Sequence, residues 1–131
     1  MAGATPQFIW DHVHIRTPDP EATAKWFAET LGAEIVRTPV RLDVKLGSAN
    51  IFLAPVTAGD GVNPPPSTPY QGLDHFGLQV KDIDDVAAHL KAKGVQFTKE
   101  PHTIRPGVRI CFIRGPQGIS IELLERDPKY K

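Results

Sequence analysis

The stretch Asp11-His12-Val13-His14-Ile15-Arg16-Thr17-Pro18-Asp19 returns 63 residues later as Asp74-His75-Phe76-Gly77-Leu78-Gln79-Val80-Lys81-Asp82. Each copy reads as a short strand with a histidine at its second position and an aspartate at its end that can cap a helix. The interval from histidine to helix-stopping glycine is 20 residues in one half (His12 to Gly32) and 19 in the other (His75 to Gly94). Two unrelated segments do not readily match so closely. A chain of 131 residues can bury one core but not two independent ones, so the repeat predicts a single domain, residues 1–131, written as two modules.

In module one, residues 8–56, Phe8 to Ile15 has strand composition. Residues at i and i+2 share a strand face. If Val13 and Ile15 pack under a helix, His12, His14 and Arg16 point to the other side. Asp19 suits a helix N-cap, Pro20 the first helical position and Glu21 the positive end of the dipole. Ala24, Phe27, Ala28 and Leu31 then share a face, and Gly32 stops the helix. Ala33 to Val36 reads as a strand. Val40 to Leu46 alternates apolar and charged residues as a half-buried strand does, and Asn50 to Leu53 forms the next.

Residues 57–71 hold glycine and proline clusters with little to bury, and read as a linker. Module two, residues 72–126, repeats the order. Leu73 to Val80 is a strand, Asp82 caps a helix ending at Gly94, and Val95 to Phe97 is a strand. A Pro/His/Gly loop carries His102 and Arg105, as exposed charge or alternatively as lid residues, then Val108 to Ile113 and Ile119 to Leu124 complete the set. The result is an α+β chain of two tandem βαβββ modules.

Fifteen basic and fifteen acidic side chains cancel, so no charge excess seeks a polyanion, and nucleic acid is not an expected partner. No apolar run approaches a membrane span, and the N-terminus lacks the basic-then-apolar pattern of a signal peptide. The single cysteine, Cys111, excludes an internal disulfide and fits a reducing cytoplasm.

Asp11-His12-Val13, Leu31-Gly32, Gly72-Leu73-Asp74-His75, Lys93-Gly94-Val95 and the run Gly115 to Leu123 together resemble the vicinal-oxygen-chelate superfamily. That superfamily includes glyoxalase I, methylmalonyl-CoA epimerase, type I extradiol dioxygenases, and the fosfomycin and bleomycin resistance proteins. The resemblance covers Phe8 to Arg126 and implies a curved mixed sheet enclosing a cavity. It also implies a homodimer, and metal ligands from the first and last strands of each module. Carried over by position, the ligands are His12, His75 and Glu122. The fourth place falls on Phe52, or on Ile51 if the strand shifts by one, and neither binds a cation. The resemblance to glyoxalase I and the epimerase breaks at that place, where they carry a glutamate and a glutamine. The His/His/Glu set that remains is the pattern of the extradiol dioxygenases and the fosfomycin thiol transferases.

Two neutral imidazoles and one carboxylate leave coordination positions open on a divalent cation. Such a set favours Fe2+, with Mn2+, Zn2+, Ni2+ or Co2+ also accepted. A small substrate with two neighbouring oxygens can chelate it, and dioxygenase chemistry is the leading expectation. The alternatives are glyoxalase- or epimerase-like lyase or isomerase chemistry, thiol transfer, or ligand sequestration without catalysis. For proton transfer, His14 and Asp43 are the candidate bases, with His14 equally a hydrogen-bond partner near the metal. Arg41 and Arg109 are candidate anchors for a substrate carboxylate or phosphate, and Phe52 a candidate apolar wall. Whether His12 meets His75 within one chain or across two stays open at this level.

Overall fold

The computed structural model describes Gly3 and residues 5–131. The described residues divide into two compact units that part between Asp60 and Gly61, inside the expected linker. Unit one holds β1 (Val13–Thr17), α1 (Pro20–Leu31), β2 (Glu34–Arg37), β3 (Leu42–Leu46) and β4 (Ala49–Pro55). Unit two holds β5 (Phe76–Gln79), α2 (Ile83–Ala92), β6 (Phe97–Arg105), β7 (Val108–Arg114) and β8 (Ser120–Arg126). The sheet orders are β1-β4-β3-β2 and β5-β8-β7-β6, so the same topology occurs twice. In each, the first strand runs parallel to the last and the remaining pairs are antiparallel. The expected βαβββ order is therefore observed in both modules.

In unit one, the Asp19 carboxylate accepts from the Ala22 amide at 3.0 Å, and Pro20 opens the helix where its missing N–H costs nothing. Gly32 ends α1 at φ 72°, a conformation that favours glycine. Phe27 and Ala24 on the inner face of α1 are fully buried, as is Val44 on β3, and Ile51 and Leu53 of β4 are nearly so. Each fully buried large side chain of this kind contributes about 1.5–3 kcal/mol by removal from water. Thr17 and Thr23 satisfy each other by a hydroxyl hydrogen bond of 2.8 Å between β1 and α1. Alternation then sends His12, His14 and Arg16 to the face away from α1, as the period-2 pattern predicts.

Three expectations about the strands are corrected. The first strand begins at Val13 and not at Phe8, and Phe8, Ile9 and Trp10 stand 89%, 84% and 75% exposed. Val40, expected on the apolar face of β3, lies before the strand at 86% exposure. The Pro/His/Gly segment is not a loop: His102 and Arg105 belong to β6, where His102 pairs with Ile110. Pro101 is tolerated there because β6 is an edge strand whose register shifts around it.

Helix α2 also differs from expectation. Asp82 sits at φ 55° and makes no side-chain capping bond. Glu125 of β8 takes that part, accepting from the amides of Asp82 (2.9 Å) and Ile83 (3.1 Å). The Tyr130 hydroxyl also donates to Glu125, and Lys129 lies 3.8 Å away. With the tyrosine hydroxyl contributing most and the two amides next, the carboxyl falls to about 2. No helix among the described residues is long and apolar enough to cross a membrane.

Candidate metal and substrate site

The equivalence of the two modules becomes exact in the strand registers. In unit one His14 pairs with Phe52, and in unit two Gly77 pairs with Glu122. His14 and Gly77 each follow their candidate ligand, His12 or His75, by two residues. Phe52 therefore holds the place of Glu122, and the alternative, Ile51, is turned into the core at 2% exposure.

In unit two, His75 Nε2 lies 3.8 Å from Glu122 Oε2. The other ring nitrogen, Nδ1, donates to the Asp74 carboxylate at 2.8 Å, and Asp74 Oδ1 accepts from the Tyr70 amide at 3.3 Å. The hydrogen bond from His75, more than any other neighbour, holds the Asp74 carboxyl below its ordinary range. Phe112, paired with Glu122 across β7 and β8, presents its ring edge-on to His75 with centroids 5.0 Å apart. A Cβ on Gly77 would stand 3.5 Å from Glu122 Oε1, so the glycine keeps one side of that carboxylate uncovered.

In unit one, His12 Nδ1 donates to the Asp11 carboxylate at 2.6 Å. The His12 ring stacks on Phe52 with centroids 4.0 Å apart and planes 21° apart. His14 stands edge-on to both, at 5.4 Å from His12 and 5.7 Å from Phe52. Arg41 Cζ lies 3.7 Å over the Phe52 ring, and Arg41 Nε donates to Asp43 Oδ1 at 2.6 Å. That bond raises the Arg41 guanidinium above its ordinary value. Asp43 pairs with Phe52 in the strand register and is only 8% exposed.

The structure thus gathers His12, His14, Phe52, Arg41 and Asp43 on one sheet face, and His75 with Glu122 on another. Arg109 is not among them. Phe112 and Glu122 share a face, so Arg109, three residues before Phe112, points the opposite way. There it forms a bidentate pair with Asp84 of α2 (2.8 and 3.1 Å), which corrects its expected place as a substrate anchor. Cys111, on the same helix-facing side, is fully buried, and burial pushes its thiol up to about 11. Asp11 and Asp74 are functional candidates that residue-by-residue reading missed. Their signal was the Asp-His dipeptide, present in both halves.

Among the described residues, no three His, Cys, Asp or Glu side chains are grouped to hold a metal. No buried side-chain nitrogen or oxygen among them lacks a hydrogen-bond partner either. The fit to a cation therefore rests on the donor pair in unit two. Two ligands bound at about 2.1 Å can stand no more than about 4.2 Å apart. The 3.8 Å between His75 and Glu122 lies within that limit.

Two copies of one βαβββ unit, each entered through an Asp-His pair just before the strand that runs parallel to its last, define a duplicated α+β scaffold. The family model "Glyoxalase/Bleomycin resistance protein/Dioxygenase superfamily" matches residues 9–123, and the chain belongs to that family. The Arabidopsis thaliana protein named "Probable lactoylglutathione lyase, chloroplastic" is 32% identical over 129 residues, 89% of this chain and 35% of that one. The chain thus spans about a third of that relative's length. A 2-epi-5-epi-valiolone epimerase from Actinomyces sp is 29% identical, covering 86% of this chain and 76% of its own. Among solved structures, a glyoxalase family protein from Enterococcus faecalis has a TM-score of 0.66 at 31% identity, covering 87% of this chain and 94% of that one. One from Bacillus cereus reaches a TM-score of 0.74 at 21% identity, covering 95% and 99%, and shows the fold alone.

Proposed function

We propose that this protein is a divalent-metal-dependent enzyme that moves a proton on a small substrate with two neighbouring oxygens, as a lyase or isomerase does. The observation that carries the reading is the His75–Glu122 pair, 3.8 Å apart, with His75 steadied from behind by Asp74. His12, steadied in the same way by Asp11, is the third ligand, supplied within the chain or by a second copy in a homodimer. A cation on two imidazoles and a carboxylate would supply Lewis acidity to the substrate oxygens.

The chain's own side chains do the rest. With Nδ1–H committed to an aspartate, each ligand histidine keeps the lone pair on Nε2 for coordination. Glu122 brings the single negative charge of the set. Phe52 covers one side of His12 with apolar surface in place of a fourth ligand. His14 is the general base: its ring lies beside His12, and its nitrogens engage no hydrogen-bond partner among the described residues. Asp43 is occupied by Arg41, so its part is to hold that guanidinium. A cytoplasmic setting, where a single unpaired thiol such as Cys111 is ordinary, belongs to the same proposal.

The Fe2+ dioxygenase reading uses the same three ligands, but the curated relatives described above carry the names of a lyase and an epimerase. The deciding experiment loads the chelator-free protein separately with Ni2+, Co2+, Zn2+, Mn2+ and Fe2+. Each form is incubated in D2O with a panel of α-hydroxycarbonyl compounds, and loss of the carbon-bound proton is followed by NMR. Exchange without oxygen uptake is expected, abolished by His75→Ala and slowed by about 10²–10⁴ in His14→Ala. Oxygen uptake with catechols in the Fe2+ form, and no exchange in any form, would instead establish the dioxygenase.

A further inference from the structure

On the face of the first sheet away from α1, one cross-strand row runs His14, Phe52, Asp43 and Val36. Arg41 is pinned beside this row in two ways. Its Cζ lies 3.7 Å over the Phe52 ring centroid, and its Nε donates to Asp43 at 2.6 Å. Both Nη groups are left without a hydrogen-bond acceptor among the described residues, and the side chain is 36% exposed. Alternation and register place Arg16, Arg41 and Lys45 on this face with Asp43 and Glu34, and the Asp11 carboxylate also acts on Arg41, so the three positive charges meet three negative ones. An arginine already held by a ring and a carboxylate loses little freedom when it binds, and its free edge matches an oxyanion bidentately.

We propose that Arg41 receives a compact oxyanion carried by the substrate, either a carboxylate or a phosphate monoester. This rests on the reading above, that the substrate meets a cation to which His12 contributes. Asp43 and Phe52 are the positioning residues, because they hold the guanidinium with its Nη edge outward. The substrate then has two recognition elements: neighbouring oxygens at one end and an anionic group at the other.

The test is an NMR titration of the full chain with 15N-arginine, the Arg41 signals being assigned by Arg41→Gln. Inorganic phosphate and acetate are titrated separately, with chloride at matched ionic strength as control, in metal-free and cation-loaded protein. The expected result is a saturable shift of the Arg41 signals, with a dissociation constant on the order of millimolar, for one of the two anions. A phosphate response points to a phosphate ester and an acetate response to a carboxylate. No saturable shift with either, or an equal one with chloride, overturns the proposal. Arg41→Gln leaves the Asp43 side chain, 12% exposed, without its cation. The double variant Arg41→Gln/Asp43→Asn removes that orphan charge and must also lose the response. With any substrate that turns over, Arg41→Gln should raise KM about 10–100-fold more for anionic members of the panel than for neutral ones. Equal rises for both would count against Arg41. If no metal form exchanges protons, the proton-transfer reading fails while the titration still decides the role of Arg41.

Discussion

The two Asp-His pairs look alike in sequence, yet the structure predicts that they differ in what they contribute to metal affinity. Outer partners of ligating histidines are typically worth 10–100-fold in affinity. Asp74 is 38% exposed, and its two oxygens are fixed by separate donors, the His75 ring and the Tyr70 amide. Asp11 is 81% exposed, and among the described residues its carboxylate hydrogen-bonds only to His12. A charge interaction in water-like surroundings is about fourfold weaker than at the effective dielectric near a protein surface, and a singly held carboxylate also loses more rotamer freedom. Asp74→Asn should therefore weaken Zn2+ binding by about 30–100-fold, and Asp11→Asn by less than about 10-fold. Competition against a chromophoric chelator at pH 7.5 measures both, with circular dichroism to confirm that each variant folds. An Asp74→Asn protein within about threefold of the parent, or a larger loss for Asp11→Asn, would refute the reasoning that burial and double anchoring set the difference.

Four further outcomes follow from the same geometry. The Glu125 carboxyl is depressed in the folded chain to about 2, so the stability it contributes is complete above the ordinary glutamate range and disappears as pH falls from about 4.5 towards 2. Glu125→Gln should lower Tm at neutral pH and flatten the acid limb of a melting curve across that window. Phe27→Ala, at a position with no exposure, should cost about 3–5 kcal/mol, read from the urea midpoint. Gly77→Ala adds a methyl at ordinary contact distance, 3.5 Å from Glu122 Oε1 and 3.7 Å from Leu124 Cδ2, and should fold normally, whereas Gly77→Leu should displace Glu122 and lower metal affinity at least tenfold. Cys111, buried with its thiol pushed up to about 11, should resist a disulfide reagent at pH 8 in the native protein and react fully in denaturant.

Much of this architecture was legible because local and global signals agreed. Asp19, Pro20 and Gly32 set the bounds of α1 by capping chemistry alone, and the period-2 pattern placed His12 and His14 on the face away from it. Other features depend on partners that a linear reading does not supply. Asp82 has the right residue type for a cap, but Glu125 arrives from 43 residues away and occupies the amides first. Proline and glycine around His102 read as a loop, yet an edge strand can absorb them by slipping register. Val108 to Ile113 is apolar on both faces, so the side that Arg109 occupies is fixed only by pairing Phe112 with Glu122. The same pairing logic, applied to His14 and Phe52, shows which residue of β4 stands where Glu122 stands in β8.

The most direct measurement is the metal content of protein purified without chelators or a metal-binding tag, beside His12→Ala, His75→Ala and Glu122→Gln. The account predicts one divalent cation per site in the parent and at least a tenfold loss of affinity in each variant, because all three side chains bind the same ion. Full retention in His12→Ala, with loss confined to the other two, would show that the histidines serve separate places and would contradict the shared centre.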